Sequence, residues 1–137
     1  MSYEQMNIER EASWAALSDA APELGVQPSL GWEKEIPLRL EGRVRMVMSL
    51  SQDRTSVYLV GRAPEAKAWI KRHETALALG LRAVAGKATS EAEQGRWFRK
   101  NNTKACVTQR SQWPEMIRWL RAQHLTFSGA VNSVKDA

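Results

Sequence analysis

The sequence predicts an α+β domain: one antiparallel sheet of about five strands with helices on one face, in the order α-βββ-α-ββ-α. Three observations carry this. Alternating apolar and polar residues run through 32–61 with only two short polar breaks, the mark of a strand meander. Apolar residues recur every three to four positions before and after that block, the mark of helices that bury one stripe. A length of 137 residues with 43% apolar and 26% charged residues suits a single domain over 1–137 with one core.

Residues 4–21 read as the first helix. Met6, Ala12 or Trp14, Ala15 or Ala16, and Leu17 recur at helical spacing, alanine favours the helix, and Pro22 and Gly25 end it. The stretch WEKEIPLRL follows as a strand. Trp32, Lys34, Ile36, Leu38 and Leu40 lie on one face; Glu33, Glu35, Pro37 and Arg39 lie on the other. Pro37 cannot donate to a ladder, so this strand belongs at a sheet edge or carries a bulge there. Glu41-Gly42 supplies a turn. RVRMVMSLS then points Val44, Met46, Met48 and Leu50 inward and Arg43, Arg45, Val47 and Ser49 outward. Gln52-Asp53-Arg54 turns the chain into TSVYLVG, a third strand rich in β-branched residues.

Pro64 and Glu65 open a second helix, which Ala66, Ile70, His73 and Leu77 follow at helical steps to a C-cap at Gly80. Residues 82–95 read as a loop. RWFRK and KACVTQR predict a hairpin across Asn101-Asn102-Thr103. Ser111 to about Val131 is the clearest helix, with Ile117, Leu120, His124, Phe127 and Val131 on one stripe. Residues 1–27 thus form an acidic helix and linker, 28–131 a basic core and 132–137 a frayed tail.

The net charge of +5 is unevenly spread. Residues 1–27 hold five acids and one base, whereas 28–137 hold 19 bases and ten acids. Between Arg96 and Arg110 there are five bases and no acid. Such asymmetry suits a polyanion-facing surface, or a solvated basic face that only keeps the chain soluble. The outward residues Arg39, Arg43, Arg45 and Tyr58 join Arg96, Trp97, Arg99, Lys100, Lys104 and Arg110 as the candidate nucleic-acid surface. Arg and Lys would hold phosphates without reading sequence, and Trp97 or Phe98 would stack on an unpaired base. Alternation predicts that one of these two rings is buried and the other exposed.

Other chemistries find less support. One cysteine excludes a disulfide framework, and one cysteine with two histidines is too few for a His/Cys zinc site. Asp53 with Glu65-Ala66-Lys67 matches a metal-nuclease spacing in letters only; a turn aspartate and a helix-start glutamate explain both acids. Glu33 and Glu35 read as exposed edge charges. Cys106 beside His73 or His124 would make a thiolate–imidazole pair, but Cys106 falls mid-strand, where a small buried thiol is the plainer account. No phosphate-cradling glycine loop or dinucleotide fingerprint is present, so neither cofactor nor metal is expected and the reading leans away from an enzyme. No apolar run approaches the roughly 20 residues of a membrane span. The opening MSYEQMNIEREASW places acids where a secretory signal has a basic start and apolar stretch, so a cytoplasmic location is expected.

The stretch ACVTQRSQWPEMIRWLRAQHLTFSGAV, with Trp113-Pro114, Trp119-Leu120 and Phe127, resembles the end of a bacterial and phage domain-of-unknown-function family. Its members often sit at the C-terminus of restriction-endonuclease-like proteins. The likeness extends through EAKAWIKRHETALALGL and covers roughly residues 43–131. A tryptophan usual after the leucine-glycine pair has only Trp97 as its counterpart, further along. The resemblance implies a DNA-linked setting and supplies no catalytic residue.

The expected function is therefore a small nucleic-acid-binding accessory module in a phage, plasmid or restriction and defence context, with single-stranded nucleic acid among the partners. The alternative is a protein–protein inhibitor, adaptor or chaperone-like homodimer. The element order is similar to that of bacterial secretion chaperones, although those are usually acidic. A nuclease ranks last.

Overall fold

In the computed structural model, which describes residues 2–27, 31–82 and 95–135, the first helix starts on a side-chain cap. Ser2 Oγ accepts from the Gln5 amide, and the Gln5 side chain accepts from the Ser2 amide. Helix α1 runs Tyr3–Ala20 and buries Met6, Trp14 and Leu17. A 3-10 turn at Pro22–Leu24 ends it, with Gly25 in the left-handed region at φ 68°. Two side chains tie α1 to the sheet. Arg10 Nε donates to the Leu50 carbonyl at 2.9 Å and Trp14 Nε1 donates to the Gly31 carbonyl at 2.8 Å.

Strands β1 (Glu33–Arg39), β2 (Val44–Leu50), β3 (Thr55–Gly61) and β4 (Trp97–Asn102) form one antiparallel sheet in that spatial order. Val44, Met46, Met48 and Leu50 are fully buried on one face, with Val57 and Leu59 beside them on β3. Helices α2 (Pro64–Arg72), α3 (Glu74–Gly80) and α4 (Trp113–Ser133) cover that face together with α1. The fold is thus α+β, with four strands among the described residues where about five were expected.

The missing strand has a local cause. Residues 103–109 spend their backbone groups on side chains instead of a ladder. Thr55 Oγ1 donates to the Ala105 carbonyl at 2.8 Å, Trp113 Nε1 to the Val107 carbonyl at 3.0 Å, and the Cys106 amide to Gln112 Oε1 at 3.1 Å. Ala105 and Val107 are buried without pairing, and a 3-10 turn at Arg110–Gln112 leads into α4. Among the described residues β4 is therefore an edge strand.

The single helix expected over 64–80 is two. His73, at φ −104° and ψ 19°, interrupts it and redirects α3 so that Leu77 and Ala78 are buried. Gly80 is not a C-cap. It lies within α3, and a Cβ there would meet Ala130 Cβ of α4 at 2.9 Å, so its missing side chain sets the approach of the two helices. The loop expected over 82–95 lies mostly outside the described residues, as does the end of the expected tail.

Two irregularities in the sheet decide where the basic side chains go. On β1 the register slips between Pro37, opposite Arg45, and Arg39, opposite Val44. One extra residue at Leu38 turns Arg39 to the helix side, which corrects the outward placement that alternation predicts. On β4, Lys100 sits opposite Val57 and Trp97 opposite Leu59, so three steps on β4 match two on β3. Phe98 takes the extra position with φ 57°. Lys100 and Trp97 therefore share the side of Val57 and Leu59, the buried side.

Gly61, at the end of β3, packs on the backbone of α2: a Cβ there would lie 2.7 Å from the Lys67 nitrogen and 2.9 Å from the Ala66 carbonyl carbon. Backbone cannot yield as a side chain can. Gly61→Ala is expected to cost on the order of 2 kcal/mol or more in urea unfolding, and a stability equal to wild type would contradict this packing.

Candidate nucleic-acid interface

The outer face of the sheet is a paired charge network over a small apolar centre. Val47, Tyr58 and Val60 form that centre and are buried. Tyr58 Oη donates to Glu33 Oε2 at 2.5 Å. Glu35 takes a two-pronged contact from Arg62, with Nε at 2.9 Å and Nη2 at 2.5 Å, and Arg45 Nη1 lies 3.6 Å away. Arg45 Nε also donates to the Gly42 carbonyl. Arg43 pairs with Glu65 in the first turn of α2. Glu33 and Glu35 are thus partners of the outward residues rather than idle edge charges. Arg62 belongs to this network and was not singled out from the sequence, although it continues the parity of Tyr58 and Val60.

The acidic N-terminal segment neutralises part of the basic core. Glu9 on α1 takes both Nε and Nη2 of Arg110, at 2.9 and 2.8 Å, and Arg110 lies over the Trp113 ring at 4.8 Å. That hydrogen bond holds the Glu9 carboxyl below its ordinary pKa. Glu23 pairs with Arg121 of α4 at 2.8 Å.

The ten expected contact residues therefore separate. Arg39 leaves the outer face: its Nη1 donates to the carbonyls of Val131 and Val134 at 2.8 and 2.6 Å, and its guanidinium lies 5.0 Å from the Trp69 ring centre. Lys100 also faces the helices, with Nζ 5.7 Å from the Phe127 ring centre. Trp97 and Phe98 are both half-buried against the main core, 6.4 Å apart, where one exposed and one buried ring were expected. The bulge at Phe98 is the reason. Arg43, Arg45, Tyr58 and Arg110 are engaged as described. Arg96, Arg99 and Lys104 remain at the β4 edge. Arg99 Nε donates to Asn101 Oδ1 at 3.2 Å, and the Asn101 oxygen also accepts from Ser56. Lys104 is exposed and makes no ion pair among the described residues.

The competing constellations do not assemble. Asp53 lies in the turn before β3 and Glu65 in the helix after it, so the length of the strand separates them. Cys106 is buried in a turn, not a strand, and its sulfur contacts Thr108 Oγ1 at 3.2 Å and Gln112 Oε1 at 3.6 Å, with neither histidine among these partners. His73 packs its ring on Trp69 at 5.0 Å. Burial lowers the pKa of His124. Among the described residues no three His, Cys, Asp or Glu side chains converge as metal ligands, and no helix is long and apolar enough to cross a membrane.

No protein-family model matches the chain, nor does any curated protein or any solved structure. The family resemblance rests on the residues quoted for it.

Burial, the hydrogen bond to Glu33 and the Glu33 charge push the Tyr58 phenol up to about 12, against smaller opposing effects of Arg96 and Arg62. The folded state thus holds the proton more tightly than the unfolded chain. The stabilisation is complete below the unfolded pKa of about 10 and is lost as pH rises through about 12. A phenolate absorbance titration should show a late tyrosine phase that Tyr58→Phe removes; a phase confined to the ordinary phenol range would contradict the network.

Proposed function

We propose that this chain is a nucleic-acid-binding accessory module that grips the phosphate backbone along the β4 edge. One observation carries the reading: Arg96, Arg99 and Lys104 lie along one edge of the described sheet, in a stretch that holds five bases and no acid from residue 95 to 114. A run of bases uninterrupted by acids attracts phosphate, whereas Arg45 and Arg62 are engaged by Glu35 and Arg110 by Glu9. The contact surface is therefore narrower than the ten residues expected, and its chemistry reads charge rather than sequence. Trp97 and Phe98 retain some exposed surface at the same edge, which favours a single strand whose unpaired base can rest there. The phage, plasmid or restriction setting follows from the family resemblance.

A second reading has its own observation. Leu79 on α3 and Leu125 on α4 are 81% and 74% exposed. Large exposed leucines suit a protein partner or a second copy of the chain, as the adaptor or chaperone-like alternative requires. Light scattering distinguishes it, since a stable dimer is its simplest form.

Labelled single- and double-stranded DNA and RNA, titrated at about 50 and 200 mM salt, test the first reading. Three phosphate contacts should lower affinity on the order of tenfold or more across that range. Arg96→Ala, Arg99→Ala and Lys104→Ala together should abolish most of the binding and flatten the salt dependence. Absence of binding at low salt, or binding unchanged in the triple variant, would overturn the β4-edge reading.

A further inference from the structure

Behind β4, on the helix side, an open cleft of about 580 Å³ lies between the end of α3, β4 and α4. Its walls include Gly80, Arg82, Lys100, Gln123, Thr126 and Ser133. The β4 bulge delivers Lys100 to it. Arg82, held at φ 56° just past α3, delivers a second cation. Neither makes an ion pair among the described residues, and the Lys100 ammonium lies 5.7 Å from the centre of the Phe127 ring. Burial and then the Arg82 charge lower the Lys100 pKa, so two like charges share a partly desolvated space.

Polar groups of the opposite kind stand around them. Gln123 Oε1 is buried and has no hydrogen-bond partner among the described residues. Thr126 and Ser133 donate their hydroxyls to the Ala122 and Ala130 carbonyls at 3.0 Å each, which leaves their oxygens as acceptors. Gly129 keeps the α4 wall low, since nothing lies within 4 Å of a Cβ built there. The cleft has the size range of small-ligand sites.

We propose that this cleft binds a phosphate group, with Lys100 and Arg82 as the paired cations and Gln123 accepting from a hydroxyl on the same ligand. The chemical class is a phosphorylated compound bearing a neighbouring hydroxyl, of which a ribonucleoside monophosphate is the smallest simple case. An anion between the two cations turns their mutual repulsion into attraction for a shared partner, and charge-assisted bonds of this kind are the stronger ones. The phosphate comes either from a free small molecule or from the end of a nucleic-acid strand. This site is on the face opposite Tyr58 and stands whether or not the β4 edge binds a strand.

Calorimetric titration with inorganic phosphate, a ribonucleoside monophosphate, the matching unphosphorylated nucleoside and a 5′-phosphorylated oligonucleotide tests it. The expected result is binding of the monophosphate and not of the nucleoside, weakened about tenfold or more by Lys100→Gln and by Arg82→Gln, and unchanged by Lys71→Gln on the exposed side of α2. Binding of the monophosphate identifies the free-molecule source; binding confined to the phosphorylated oligonucleotide, with the same two variants impaired, identifies the strand end. Should Lys100→Gln not fold, Arg82→Gln decides. No binding of any phosphate-bearing probe, or binding indifferent to both variants, overturns the proposal. The Lys100 and Arg82 variants report on this cleft and the triple variant of Arg96, Arg99 and Lys104 reports on the β4 edge, so failure of one reading leaves the other distinguishable.

Discussion

The guanidinium of Arg39 is the tie on which the rest of the layer depends. A 21-residue helix ends at Ser133 with no basic residue in its own last turn, so its terminal carbonyls need a donor from elsewhere. Arg39 supplies it from the far edge of the sheet, bonding Val131 and Val134 while lying against the Trp69 ring. One side chain thus joins β1, α2 and α4. A cation at a helix C-terminus also meets the negative end of the helix dipole. None of this is open to a strictly alternating strand, in which Arg39 would share the outer face with Glu35. The extra residue at Leu38 is the condition for it.

The second bulge does the same for β4, and together the two sort the basic residues by side. Arg39 becomes a structural donor and Lys100 enters a cleft. Arg96, Arg99 and Lys104 stay at the β4 edge. On the outer face itself, Glu33 and Glu35 hold Tyr58, Arg45 and Arg62 in one network. A net charge of +5 therefore says little about any particular surface until the pairing of each cation is known. The acidic α1 is part of that pairing through Glu9 and Arg110, residues 101 positions apart in the chain that meet in the fold.

The parts of the fold that were legible in the sequence are those set by local pattern. Alternation in β2 identifies the inward residues Val44, Met46, Met48 and Leu50, and all four are buried. On α4 the expected stripe places Leu120, Phe127 and Val131 in the core, but Ile117 and His124 are only partly buried while Met116 and Ala130 are buried beside them; the ends of α1 follow from the same kind of reading. Pro37 signals an edge or bulge, and both are found, but alternation past Pro37 still puts Arg39 on the wrong side. Phe98 carries no mark of its left-handed conformation, because a turn of that kind ordinarily uses glycine or asparagine. KACVTQR has the composition of a strand, yet Thr55, Gln112 and Trp113 take its backbone groups, and those partners are distant or lie beyond the segment. The break at His73 has neither glycine nor proline to announce it. In the candidate site, the residue types were legible and their sides were not, since a one-residue slip reverses every side chain after it.

The most direct test of this account is the exchange behaviour of the Arg39 guanidinium by NMR, with its resonances assigned by their loss in Arg39→Lys. A side chain bonded to two helix carbonyls and laid on a ring should give separate, slowly exchanging N–H signals. Averaged, rapidly exchanging signals like those of a solvent-facing arginine would place Arg39 back on the outer face and contradict the sorting of charge described above.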